Sequence, residues 1–226
     1  MGVDSGARRR IPTAALVILV AAAVGAAGMA AGAALTGGGT AAARPMDGSP
    51  EAGFARDMQA HHAQAVQMSV MVRDATDDPE VRSLALDIML TQQQQAGQMY
   101  GWLEQWDLPQ ASLDPPMQWM SHAGSGMASM GHGSDVTPAP GSAVVMPGMA
   151  TDEELQQLDQ VVGVDAETRY LELMVAHHRG GVAMAQGALD RAEDQDVRRL
   201  AQAIVDSQTA ELAVLEQMLV ERESFL

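Results

Sequence analysis

The sequence predicts an all-α protein: an antiparallel four-helix bundle built from two copies of one helical hairpin, preceded by one N-terminal transmembrane helix. Three observations lead there. Sliding the chain against itself by 116 residues aligns 54–105 with 170–221 without a gap, and 15 of the 52 pairs are identical. Within each copy the apolar residues step by four and three, the spacing of one helix face. Near the N-terminus, Ile11 to Leu35 runs for 25 residues without a charge.

At about 1.5 Å of rise per residue, a helix over residues 11–35 crosses a hydrocarbon core of roughly 30 Å. Arg8, Arg9 and Arg10 precede it. By the positive-inside rule they hold residues 1–10 in the cytoplasm and place everything after Thr36 outside a cell membrane. A cleaved signal peptide is the competing reading, with the alanines at 41–43 as a small-residue cleavage site. The run is longer than the usual ~7–15-residue signal core, which favours the uncleaved anchor. Both readings export the rest of the chain.

The chain has no cysteine, so no disulfide framework and no thiolate metal site forms in that oxidising space. Any soft metal ligand has to be methionine. All 13 basic residues are arginine, against 29 acidic ones, for a net charge of −16. Nucleic-acid binding demands a basic footprint and is excluded as a function.

Residues 36–50 form a linker, and the first hairpin occupies 51–106. Phe54, Met58, His61, Ala65, Met68 and Val72 mark one face of its first helix. Val81, Ala85, Ile88, Gln92, Gln95, Met99, Trp102 and Trp106 mark one face of the second. Between them Asp78 is an N-cap and Pro79 a first helical residue, which puts the turn near residue 77. Residues 107–150, rich in Pro, Gly, Ser and Met with no sustained period, form a long crossover. In "TDEEL", Thr151 and Glu154 stand at capping-box spacing and start a short extra helix. The second hairpin follows within 151–226, with Asp194 as its internal cap. Two hairpins joined by a long crossover and related by a pseudo-twofold axis make a ferritin-like arrangement.

In an antiparallel hairpin, positions equidistant from the turn lie at one height. His61 and His62 are then level with Gln92 and Gln95, and His177 and His178 with Gln208 and Glu211. Burying eight polar groups in one layer costs several kcal/mol unless they are paired or bind something. Met58 and Met68 flank the first histidine pair as Met174 and Met184 flank the second. The candidate metal ligands are therefore His61, His62, His177, His178, Met58, Met174, Met68, Met184 and Glu211. Imidazole suits several metals, but thioether selects soft ones, Cu(I) above all. A di-iron carboxylate centre needs carboxylates on all four helices, and only Glu211 is at this level. Three Met-x-x-Met pairs in the crossover, Met117 with Met120, Met127 with Met130 and Met146 with Met149, plus His122 and His132, form a second candidate group. The alternative is a buried polar layer of histidine and glutamine that fixes register, with methionine as core filler and linker packing.

"FARDMQAHHAQAVQMS" and "YLELMVAHHRGGVAMA", each followed by a second helix beginning "VRSLALDIML" or "VRRLAQAIVD", resemble the domain of unknown function 305 family over residues 50–223. That family carries Met-x-x-His-His on ferritin-like helical bundles, and some members are similar to extracytoplasmic copper-binding proteins associated with copper tolerance. The resemblance implies a metal role for Met58, His61, His62, Met68, Met174, His177, His178 and Met184. The halves depart from symmetry at Gln95 against Glu211, and at Ala63, Gln64 and Ala65 against Arg179, Gly180 and Gly181. The expected function is copper sequestration or transfer outside the cytoplasm, without turnover. The alternatives are a ferritin-like metal-dependent oxidoreductase and a structural or interaction module. The candidate partners are the metal ion, the membrane through the N-terminal helix, and a second copy of the chain as a homodimer.

Overall fold

The computed structural model describes residues 44–121 and 146–223, all within one compact unit, Ala43–Leu226. The expected membrane helix at 11–35 lies outside the described residues, as do residues 1–10. Among the described residues there are six helices and no strand, and no helix is long and apolar enough to cross a membrane.

Four long helices carry the fold. In α1 (Pro50–Ala75) the Ser49 hydroxyl accepts the Ala52 N–H at 3.3 Å, and Pro50 occupies the first turn, where no N–H is needed. In α2 (Pro79–Trp106) the Asp78 carboxylate accepts the N–H groups of Glu80 and Val81, both at 2.9 Å. Two short helices follow, α3 (Gln118–Ser121) and α4 (Asp152–Gln160), the latter opened by the reciprocal Thr151 and Glu154 capping box. The second hairpin is α5 (Val164–Arg191) and α6 (Gln195–Glu223), with Asp194 capping α6 through Asp196 and Val197.

The repeat extends to the hydrogen bonds. Arg82 donates to the carbonyls of Arg73 and Thr76, and Arg198 to those of Leu189 and Ala192. Each arginine satisfies terminal carbonyls of the preceding helix that have no partner inside it. The hairpins are also tied across. The Glu51 carboxylate accepts the Glu193 N–H at 2.7 Å, and its repeat equivalent Glu167 accepts the Thr76 hydroxyl. Each first-turn carboxylate thus holds the turn of the other hairpin.

Along α1 the buried residues run Phe54 and Met58, then His61 and His62, then Ala65, Met68 and Val72. Along α2 the order reverses: Val81, Ala85 and Ile88, then Gln92 and Gln95, then Met99 and Leu103. One apolar cluster gathers Met68, Ile88, Met174 and Leu215, joined by Leu155 and Leu158 of α4. The other gathers Phe54, Met58, Met99, Met184 and Ile204, joined by Trp119 of α3. The shared clusters make α1 antiparallel to both α2 and α5, with the polar residues between the two clusters on every helix.

One expectation needs correction. Trp102 and Trp106 are half-buried and stack on each other, ring centroids 6.1 Å apart, while Leu103 takes the core position. At 3.6 residues per turn the buried stripe drifts, and after Met99 it steps by four rather than three. The described part of the crossover that follows α2 is tied to α1. The Asp57 carboxylate accepts the Met117 N–H at 2.7 Å and the Trp119 indole N–H at 2.8 Å, and this Trp packs edge-on against Phe54.

Replacing Asp194 by alanine removes an N-cap and lowers stability by about 1 kcal/mol. Asp78→Ala costs more, because Asp78 also pairs with Arg222 at 3.4 Å. Urea unfolding of residues 44–226 checks both the size and the order.

Candidate metal centre

The eight side chains expected at one level are all buried, the four imidazoles completely. α1 and α5 meet at His61 and His177, whose ring centroids are 3.7 Å apart with planes inclined by 34°. These are the same position in the two repeats, so the pseudo-twofold axis passes between them. His62 and His178 lie about 100° further round their helices, toward the second helix of their own hairpins. There His62 Nε2 meets Gln95 Oε1 at 2.8 Å and His178 Nε2 meets Glu211 Oε2 at 2.7 Å. His177 Nε2 meets the backbone carbonyl of His61 at 2.9 Å, and His61 Nε2 meets that of Pro147 at 3.1 Å.

Every one of those partners is an oxygen that accepts, so each ring donates through Nε2–H. The Nδ1 atoms of all four histidines are buried without a hydrogen-bond partner. Burial pushes His61 down to about 4, partly opposed by its bond to Pro147, and His62 down to about 3. It holds His177 well below the usual imidazole range, and the neighbouring imidazoles add to the effect. A neutral ring with its proton fixed on Nε2 keeps its lone pair on Nδ1, the state that second-shell oxygens impose on metal-binding histidines. The amides of Gln92 and Gln208 are buried without partners as well. Each such group left unsatisfied costs about 1–3 kcal/mol. The layer thus holds more donor atoms than its own hydrogen bonds use.

The methionines divide by side. Met58 and Met184 belong to one apolar cluster and Met68 and Met174 to the other. The pseudo-twofold axis exchanges the ends of α1 and α5, so each side of the layer receives one methionine from each repeat. Glu211 holds the Nε2–H of His178 in the place that Gln95 takes for His62. Among the described residues no three or more His, Cys, Asp or Glu are placed to hold a metal ion together. The unpaired donors of the layer are imidazole nitrogens and amide groups, and the thioethers lie in the apolar clusters on either side of it.

Of the crossover candidates, Met117, Met120 and Met146 are half-buried and pack against the cluster containing Met58 and Met184. Met149 is half-buried beside them in sequence. His122, Met127, Met130 and His132 lie outside the described residues. The residues that sequence reasoning missed belong to the same stretch. Beyond the Pro147 carbonyl on His61, the Gln64 amide donates to the Ala150 carbonyl at 2.8 Å and accepts the Ala150 N–H at 2.7 Å. The one signal for them was the mismatch of Gln64 with Gly180.

The family described as domain of unknown function (DUF305) matches residues 51–219. Among solved structures, a DUF305 protein from Streptomyces coelicolor is 46% identical with a TM-score of 0.67, over 78% of this chain and 95% of that one. A DUF305 fragment from Deinococcus radiodurans is 31% identical with a TM-score of 0.58, over 76% of this chain and 96% of that one. CopM in its Cu(I)-bound form is 21% identical with a TM-score of 0.55, over 76% of this chain and 96% of that one, a likeness of fold. No curated protein matches the chain.

The neutral imidazoles make stability depend on pH. The unfolded chain takes up protons on these rings near pH 6.5, whereas the folded chain does so only at about 4 for His61 and about 3 for His62. Between those values the unfolded state binds more protons, so stability falls as pH falls from 6.5 toward 4. The urea midpoint of the metal-free protein declines over that window, and His62→Gln makes the decline shallower.

Proposed function

The chain belongs to the family described as domain of unknown function DUF305, and from that premise we propose that it is a copper-binding protein. Its cargo is Cu(I), which it sequesters or passes on outside the cytoplasm without a turnover of its own. The observation that carries this reading is the four buried histidines, each donating Nε2–H to an oxygen and each keeping an unpaired Nδ1. The Cu(I)-, Cu(II)- and Ag-bound forms of CopM, a protein of the same fold, favour a metal as the missing partner.

The ion's donors would come from His61, His62, His177 and His178 through Nδ1, no more than two of these imidazoles to one ion in the arrangement described, with the thioethers of Met58, Met184, Met68 and Met174 on either side of the layer. The ion would supply the interaction that the orphaned nitrogens lack. The chain supplies the rest: Gln95, Glu211 and the carbonyls of Pro147 and His61 fix the rings, and the two apolar clusters exclude water. A dry site of neutral donors favours a monovalent ion over a divalent one, because burying the second charge is more costly.

We read the two hairpins and their long connection as a ferritin-like architecture used here for binding. The crossover methionines are a looser capture surface. Residues 11–35 are a membrane anchor that keeps the bundle at the outer face of the membrane.

The reading is tested on residues 44–226 by competition with a chromophoric Cu(I) chelator. Wild-type protein binds Cu(I) tightly, and the variant with His61, His62, His177 and His178 all replaced by glutamine does not. Glu211→Gln, which keeps a hydrogen-bond acceptor on His178 but removes its charge, weakens binding by roughly tenfold to a hundredfold. Equal affinity in the wild type and the fourfold variant rules the layer out as the copper site.

A further inference from the structure

Among the positions at which the two repeats differ, one pair faces the same segment of the crossover. α1 carries Gln64 where α5 carries Gly180. Both meet the same segment. Gln64 grips Ala150 with two hydrogen bonds, at 2.8 and 2.7 Å. A Cβ on Gly180 would stand 1.9 Å from the Pro147 carbonyl oxygen and 2.9 Å from the Gly148 nitrogen. Gly148 closes the contact from the other side: its φ is +76°, and a Cβ there would stand 2.3 Å from the Ala176 carbonyl oxygen and 3.0 Å from His177 Cα. One repeat holds the segment and the other makes room for it.

The histidines register the same asymmetry. His177 Nε2 donates across the axis to the His61 carbonyl, whereas His61 Nε2 donates to Pro147 in the segment. The segment also carries Met146 and Met149, both half-buried, and Met146 packs against the cluster of Met58 and Met184.

We infer that residues 146–150 form a strap closing the seam between α1 and α5 over the histidine layer, with Gln64 and Gly180 as the residues that seat it. The strap locks His61 in the Nε2–H tautomer, and a soft monovalent cation reaches the His61 and His177 pair only when it lifts. The second clause rests on the metal-binding reading of the layer; the first rests on the geometry alone. Lifting breaks three neutral hydrogen bonds, each weak in net terms. The element that lifts also bears two thioethers, so it offers an arriving ion a first ligand.

The test uses the full chain in mild detergent, as wild type, Gln64→Ala and Gly180→Ala, with 15N-labelled histidine. In the metal-free wild type the His61 nitrogens show a single Nε2–H tautomer. In both variants they become a tautomer mixture, while His62 and His178, held by Gln95 and Glu211, do not change. Loaded with Ag(I), both variants pass the ion to a thiol chelator faster, Gln64→Ala by about tenfold, as the loss of its two hydrogen bonds implies. A folded Gln64→Ala protein with an unchanged His61 tautomer and an unchanged transfer rate overturns the inference. Should Gly180→Ala fail to fold, Gln64→Ala decides alone. If the wild type takes up no Ag(I), the metal reading and the access role fall together, and the tautomer of His61 in Gln64→Ala still decides whether the strap locks the ring.

Discussion

A layer of eight polar side chains, buried between two apolar clusters, sets the register of every long helix. His62 reaches Gln95 and His178 reaches Glu211 only if each hairpin pairs at its observed height. Sliding α2 by one turn against α1 so that Met99 comes toward His62 would leave an imidazole N–H unpaired in a dry interior, at about 1–3 kcal/mol. The stacking of His61 on His177 fixes the two hairpins against each other in the same way. The cross-ties from Glu51 and Glu167 to the opposite turns hold the ends of that arrangement, leaving its centre to the histidines.

Much of this was legible in the sequence because it is local or repeated. Caps at Asp78, Thr151 and Asp194 follow from side chains within three residues of the groups they satisfy. The layer followed from periodicity and the repeat, since equal distances from a turn define equal heights. What was not legible depends on contacts between segments far apart in the chain. That the pseudo-twofold axis sends Met58 to the side of Met184 follows from how α1 crosses α5, which no single hairpin specifies. Gln64 and Gly180 stood out as a mismatch, but its meaning lay 86 residues from Gln64, at Ala150. Met146 and Met149 stood out as a pair, whereas Pro147 between them acts through a backbone carbonyl.

The two halves differ within this same layer. His62 and His178 are equivalent by sequence, yet one is oriented by a neutral amide and the other by a carboxyl group. His61 differs from His177 because only His61 takes its acceptor from the crossover. Elsewhere the repeat is kept at the Asp78 and Asp194 caps but not at the helix starts, where α1 is capped by Ser49 and α5 follows Gly163 with no side-chain cap.

The central claim is that a soft ion is held by imidazole nitrogen and thioether sulfur together. X-ray absorption at the copper edge of Cu(I)-loaded residues 44–226 tests it directly. The account predicts a shell containing both imidazole nitrogen and sulfur, with the imidazole signature lost when the four histidines are replaced by glutamine. A shell of sulfur or oxygen with no imidazole would contradict it, and would leave the buried histidines as a purely structural layer.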